Sequence, residues 1–459
     1  MHYMNIIAIL TCLPISIGFI SIPLALSGED TKKEEFTHKV VVITKDAKFQ
    51  PAESSVAINP TNPDHIVAVS LFTGPRISNA SYVSKDGGKT WKTSFCPNPA
   101  KRIQGDDAVA FDADGVAHHT YISFTGIRLA RPRRAENGIF CSSSHDGLKW
   151  SEPTAIIDHV NTVEPFEDKP FLGIDLSPTS KYKGNIYVAW TKFDVYGSKK
   201  PENKTHIYMS RSTDGGKSFS PAWRISDKAG TAKDDSTTVE GAVPAVGPNG
   251  EVYIAWSGPE GIVVDQSTDG GVKFGKDVLV SKHPGGWDFG VKGLKRHNGM
   301  PVTGADISKG EHRGSVYVMW LDKRNNDPDV FLAYSRDQGK TWSDPVRVND
   351  DKKGNGKEQL FAWMAVDPVD GSVNIVFYDR RDTEGTMTGL TLARSTNGGK
   401  SFRNYKVDQK PFDLKGRLFF GDYLGISAYD GRVVAVYPHY ANPNRLQLSA
   451  ALFRFKKSE

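Results

Sequence analysis

The chain has only three cysteines in 459 residues, too few for a disulfide-knit scaffold or a cysteine-rich zinc module. Its 38% hydrophobic and 24% charged content excludes a polytopic membrane protein and a mostly disordered one. A long basic run is also missing. Lysine and arginine number 58 against 53 acids, a net charge of +5, and this excess is too dilute to imply a nucleic-acid partner. Zinc-ligand spacing, a glycine-rich phosphate loop and a serine nucleophile elbow are all absent. What the chain has in quantity is glycine (44), proline (26) and aromatics (10%). That skew favours many short strands joined by tight turns.

The N-terminus reads as an address. Residues 1–27 contain no Lys, Arg, Asp or Glu, and Ala25-Leu26-Ser27 offers a signal-peptidase site before Gly28-Glu29-Asp30. The expectation is a signal peptide over 1–27 and a secreted or cell-envelope protein with no membrane span after cleavage. An uncleaved anchor is the alternative, although Pro14 and Pro23 make a poor membrane helix. Residues 28–459 then form one domain. Two cysteines remain in it, Cys96 and Cys141. An exported chain permits a disulfide between them, and a pair of buried free thiols is the other reading.

One short pattern recurs six times. It runs Ser84-Lys85-Asp86-Gly87-Gly88-Lys89-Thr90-Trp91, then Ser144 to Trp150 with one residue fewer. It returns at Ser212–Phe219, Ser267–Phe274, Ser335–Trp342 and Ser395–Phe402. The third positions are Asp86, Asp146, Asp214, Asp269, Asp337 and Asn397, a period of about 62 residues that marks a repeat architecture. A short acid accepting turn N–H groups, a glycine at positive φ and a closing buried ring make a rigid hairpin turn. Asn397 can accept those bonds but cannot act as a general acid. These residues are scaffold rather than chemistry.

Around each turn the order is constant: an acid- or amide-led strand, a polar turn, and a second, strongly β-prone strand such as Val252-Tyr253-Ile254-Ala255-Trp256. A third strand then enters the box and a fourth leaves it. Each repeat is thus a four-stranded antiparallel blade of an all-β propeller. These Ser-x-Asp-x-Gly-x-Thr-Trp turns resemble the Asp boxes (BNR repeats) of the sialidase superfamily, and the resemblance spans nearly all of the chain past residue 27. Asp boxes also occur in non-sialidase propellers, so the likeness speaks to fold before activity.

After the sixth box a last unit has three strands, ending on Leu446–Leu452, while a spare strand, His38–Thr44, precedes the first repeat. Joining the two closes a seven-bladed ring and removes an open edge. A six-bladed ring, as in enzymatic sialidases, is the runner-up. The same connectivity puts the start of every inner strand and the loop after every second strand on one face. That face collects Glu53, Asp106, Asp107, Glu167, Asp168, Glu240, Asn298, Gln359, Asp422 and Tyr423 from strand starts. The loops bring Arg76, Arg128, Lys192, Arg324, Arg381, His439 and Tyr440.

The resemblance implies a tyrosine nucleophile, a glutamate that activates it, an aspartate acid/base and an arginine clamp for an anionic sugar. By topology these roles fall on Tyr423, Glu240 and Asp107, with Arg324, Arg381 and Arg76 as the clamp. The expected partner is carbohydrate or a glycoconjugate. No cofactor or catalytic metal is expected, although strand-leading acids can bind a structural calcium ion. Two features pull the other way. The family's Phe-Arg-Ile-Pro signature is missing, its nearest string being Gly74-Pro75-Arg76-Ile77-Ser78, and Asp322/Arg324 and Asp379/Arg381 have the spacing of local ion pairs. A glycan- or protein-binding propeller and a polysaccharide lyase are therefore the alternatives to an exo-glycosidase.

Overall fold

The computed structural model describes residues 34–45, 48–74, 77–125, 136–160, 162 and 164–456. Its strands form seven sheets, and no helix occurs among the described residues. The first blade pairs Gln50–Ile58, Ile66–Thr73, Ser78–Ser84 and Lys92–Phe95 in that order. The next five repeat it, their inner strands being Ile103–Phe111, Phe166–Ile174, Glu240–Val246, Val302–Ala305 and Gln359–Val366. In the seventh, Gly425–Tyr429, Arg432–Asn442 and Arg445–Phe455 are completed by Phe36–Val42 from the other end of the chain. That strand pairs antiparallel from Phe36 against Phe455 to Val42 against Ser449. The ring is seven-bladed and closed by both termini.

The blades hold together through apolar second strands and through the boxes. Trp190, Trp256 and Trp320 occupy equivalent second-strand positions and are buried. Each box is wired locally. Ser84 Oγ donates to Asp86 Oδ1 at 2.8 Å, and Thr90 donates from N at 2.9 Å and from Oγ1 at 2.6 Å. Its glycine then lies flat on the preceding blade. At Gly147, with φ +73°, a Cβ would come within 2.5 Å of Val67 and 2.8 Å of Val83, so both the backbone angle and the space require glycine. In the sixth box Asn397 donates from Nδ2 to Ser401 Oγ at 2.8 Å, reversing a bond that the aspartates accept.

Two sequence expectations about cysteine and the leader resolve differently. Cys96 and Cys141 are buried free thiols with no disulfide between them, and burial pushes the Cys141 thiol up to about 12. The leader, residues 1–27, lies outside the described residues. Among the described residues no helix is long and apolar enough to cross a membrane.

Candidate functional site

At the start of five inner strands the register slips. The shifts fall at Ala52/Ser54, Gly105/Ala108, Asp168/Phe171, Glu240/Val243 and Leu360/Trp363. Each slip leaves one residue in the left-handed region: Glu53 (φ 51°), Asp106 (51°), Lys169 (51°), Gly241 (83°) and Phe361 (44°). Four of the five carry side chains, so this strain is held by the surrounding fold, as is common where a bulge re-aims a side chain at a site. In three consecutive blades the re-aimed residue is charged.

Those charges form one buried cluster. The Lys169 ammonium, 3% exposed, lies 3.1 Å from Glu240 Oε1 and 3.5 Å from both Asp168 Oδ2 and Asp422 Oδ2. Its backbone N–H donates to Asp106 Oδ2 at 3.3 Å, and the N–H of Asp422 donates to Glu53 Oε1 at 3.1 Å. Arg296 caps the cluster through Asp422 Oδ2 at 2.5 Å and reaches Asp234 Oδ2 at 4.0 Å. Asp234 is held in turn by Tyr196 OH at 2.7 Å and Trp287 Nε1 at 3.1 Å.

Six carboxyl groups thus face two cations, and burial penalises the uncompensated charge. Burial, reinforced by Asp422, pushes Glu53 up to about 8. Asp106 is also driven well up, by burial and then by Asp168, with which it shares a hydrogen bond. Glu240 moves the same way, through burial and then Asp234. Burial disfavours the Lys169 ammonium, but Asp168 and Glu240 outweigh it and hold the proton firmly. The site therefore contains protonated carboxyls beside ion-paired ones.

Above the cluster opens a cavity of about 220 Å³. Glu53, Asp106, Asp168, Lys169, Arg296 and Asp422 form its polar side. The same lining includes Phe124, Phe166 and Tyr196 in edge contact, with ring centroids 5.8 and 5.3 Å apart. Apolar and aromatic lining with a few convergent polar groups is the usual make-up of a small-molecule site.

Of the residues picked from sequence, Glu240 joins the Lys169 cluster. Tyr423 is 3% exposed. It lies against Phe171 and Trp363, and its hydroxyl donates to the Asp107 carbonyl at 3.3 Å. Burial, then Glu53 and Asp106, hold its proton well above the ordinary range. The Asp107 carboxylate is fully buried and turns to His119 Nε2 at 2.5 Å. Arg324 is clasped by Asp322 at 2.5 Å, and Arg381 by Asp379 at 2.5 Å and by Asp350. Neither arginine lines the cavity. Arg76 and Arg128 lie outside the described residues. Lys169 and Arg296 were missed, and only a shared offset from the acid-led strand starts could have singled out Lys169. Among the described residues no group of three or more His, Cys, Asp or Glu is arranged to hold a metal.

The BNR/Asp-box repeat family matches at residues 82–93 and 333–344, which cover the first and fifth boxes. The chain is an Asp-box β-propeller. No curated protein matches the propeller in sequence. Among solved structures it is similar to a protein of unknown function from Dyadobacter fermentans (15% identity, TM-score 0.50, covering 92% of this chain and 99% of that one). It is similar also to a polysaccharide lyase, an ulvan lyase (11%, 0.52, 89% and 95%), and to the phage phi92 endosialidase (11%, 0.52, 92% and 70%). At these identities the propeller shares their fold.

Proposed function

We propose that the propeller is a carbohydrate-acting enzyme, a glycoside hydrolase whose site is the cavity over Lys169. One observation carries this reading: a single small cavity is lined both by carboxyls in divergent environments and by aromatic rings. A sugar ring offers an apolar C–H face to Phe124, Phe166 and Tyr196 and hydroxyls to the carboxyls. Divergent carboxyl environments are what separate a general acid from its partner. Glu53 is the proposed acid, giving its proton to the glycosidic oxygen as the bond to the anomeric carbon breaks. Asp168 takes the proton of the water that replaces the leaving group. The names of two structural relatives, a polysaccharide lyase and an endosialidase, agree with carbohydrate as the substrate class.

The sialidase-type version of this chemistry, with Tyr423 as nucleophile, Glu240 as its partner and Asp107 as acid/base, requires the phenol to leave its packing against Phe171 and Trp363. A glycan-binding role without turnover is favoured by a separate feature, since Arg324 and Arg381 each serve a local aspartate. Export through residues 1–27 belongs to the same proposal, and N-terminal sequencing of secreted protein tests it.

Fluorogenic glycosides, including a sialoside, decide between these readings. The expected result is turnover that falls above about pH 8 as Glu53 loses its proton, and that drops about a hundredfold or more in Glu53→Gln. Full activity in Glu53→Gln together with its loss in Tyr423→Phe would transfer the chemistry to the tyrosine. Saturable glycan binding without turnover leaves a binding module.

A further inference from the structure

The cavity has an apolar part that the proposed reaction leaves unused. Its charged residues Glu53, Asp106, Asp168 and Lys169 stand at the starts of inner strands, beside the central channel. Leu71, which lines the same space, belongs to a second strand, about 4.8 Å further out. It pairs with Ala52, the residue before Glu53, and a Cβ on Gly105 would stand 3.4 Å from its Cδ2. Two more lining residues are open to water, Ile77 at 37% exposed and Phe419 at 44%. Ile77 is held at the seam between the first two blades, its carbonyl accepting the Gln104 N–H at 3.4 Å. Phe419 is placed by its chain neighbours. Two residues on, Gly421 lies so close to Glu53 that a Cβ would meet Glu53 Cγ at 2.6 Å. Covering large apolar side chains in a cavity with an apolar ligand is favourable.

Glu53 is the proposed acid, and an acid that protonates the glycosidic oxygen lies next to the departing group. The surroundings of Glu53 therefore describe the leaving group. We infer that this group is an apolar alcohol, alkyl or aryl, seated on Leu71, Ile77 and Phe419, an inference that rests on the reading of the cavity as a glycoside hydrolase site. These three side chains come from the first blade and the chain leading into the seventh. Phe124, Phe166 and Tyr196, proposed to hold the sugar, come from the second and third.

The bond between the anomeric carbon and the aglycone oxygen breaks, its electron pair stays on that oxygen, and the oxygen takes the Glu53 proton. Water forms the new bond to the anomeric carbon and gives a proton to Asp168, from which solvent returns it to Glu53. A departing sugar fits less well, since its hydroxyls would meet Leu71, Ile77 and Phe419, whose side chains offer no partner. Arg76 adjoins Ile77 in sequence and lies outside the described residues, so an aglycone bearing a carboxylate is one of the probes.

Methyl, hexyl and carboxypentyl glycosides of one sugar, and a disaccharide with that sugar at its non-reducing end, test this on the whole protein. Glucose, galactose, N-acetylglucosamine and sialic acid are the sugars. Methanol and hexanol are alkanols of similar acidity, so the comparison reads contact rather than leaving-group chemistry. The kcat/KM for the hexyl glycoside should exceed that for the methyl one by at least about tenfold, with the disaccharide close to methyl. Phe419→Ser should erase most of this ratio, whereas Phe419→Leu, which keeps an apolar side chain, should retain it. Ile77→Ser is a second, independent variant. Both sites are exposed, so neither change threatens folding. Saturation-transfer NMR on the same glycosides reads binding alone, and the hexyl protons should lose their contact in Phe419→Ser.

Equal kcat/KM for methyl and hexyl, preference for the disaccharide, or a hexyl preference that survives both serine variants would overturn the inference. So would faster turnover of the carboxypentyl glycoside, which would give the subsite to Arg76. Turnover indifferent to the aglycone sinks the inference and spares the hydrolase. Hexyl-selective contact without turnover keeps the apolar subsite and sinks the hydrolase. Neither contact nor turnover overturns both.

Discussion

The two ends of the central channel are built from the same seven inner strands and share almost nothing else. At the lower end Val56, Val109, Leu172, Val246, Met364 and Ile426 line an apolar opening of about 290 Å³. The Asp boxes join the blades' outer strands. Asp214 and Asp337 are lowered to about 2 by hydrogen bonds from Ser218 and Thr341. At the upper end the strands are bulged, the side chains charged, and Glu53 is raised to about 8 by burial and Asp422. Aspartates in the boxes keep their charge because each is surrounded by donors on its own turn. Glu53, Asp106 and Glu240 at the mouth are driven the other way, first by burial and then by neighbouring acids. Carboxyls on one fold thus become scaffold or candidate machinery according to what the backbone within a few residues offers them.

The sharpest way to break this contrast is to remove the cation at the mouth. Lys169→Met strips the ammonium from Glu240, Asp168 and Asp422 and leaves buried acids without compensation. Losing one partner of a buried ion pair costs about 3–5 kcal/mol. Urea unfolding at neutral pH should show a loss of that size, shrinking under acidic conditions where the carboxyls take up protons instead. A loss below about 1 kcal/mol would mean that protons and solvent already neutralise the cluster, and that Lys169 is not what holds it.

The same contrast explains what could be read from sequence. A box is complete within eight residues, since Ser84, Asp86, Gly88 and Thr90 bond one another, and its chemistry is visible in the string. Blade number followed from the box period and the spare strand, because strand closure is a matter of counting. Arg324 and Arg381 were legible as residues, and their local acids stood two positions away. Lys169 and Arg296 were not. The first is aimed by a register slip at Asp168/Phe171, a property of pairing between strands. The second lies in the stretch between Trp287 and Asn298 and meets an acid 126 residues distant. Local turns write themselves into sequence, whereas a site assembled from several blades does so only as a set of strand starts.

A smaller effect belongs to the lower end. Asp337→Ala deletes bonds from the Thr341 N–H at 2.9 Å, Thr341 Oγ1 at 2.6 Å and Ser335 Oγ at 2.8 Å, in an exposed turn where water replaces part of the loss. A cost of about 1–2 kcal/mol is expected, read as a lower unfolding midpoint with the turnover proposed for the mouth unchanged per folded molecule. Asp337→Asn should cost much less, since Asn397 already serves the sixth box by donating to Ser401. If Asp337→Ala reduced the turnover proposed for the mouth, measured per folded molecule, the two ends would be coupled through the blade.

The smallest effect is the most diagnostic of the mouth. Glu53 binds its proton up to about 8 in the folded protein, whereas an unfolded glutamate releases it near 4.3. Between those values the folded state holds more protons than the unfolded one, so stability declines as pH rises and levels off beyond about 8. Because Asp106, Asp422, Lys169 and Arg296 share the cluster, the slope should correspond to less than one proton. Buried His65, His283, His297 and His439, lowered to about 3–4, push the other way below about 6.5 in both proteins, so the thermal midpoint of wild type minus that of Glu53→Gln is what should fall gently across the window. If the difference between wild type and Glu53→Gln did not fall across that window, Glu53 would be ionised in the folded state, and burial at the mouth would not hold its proton.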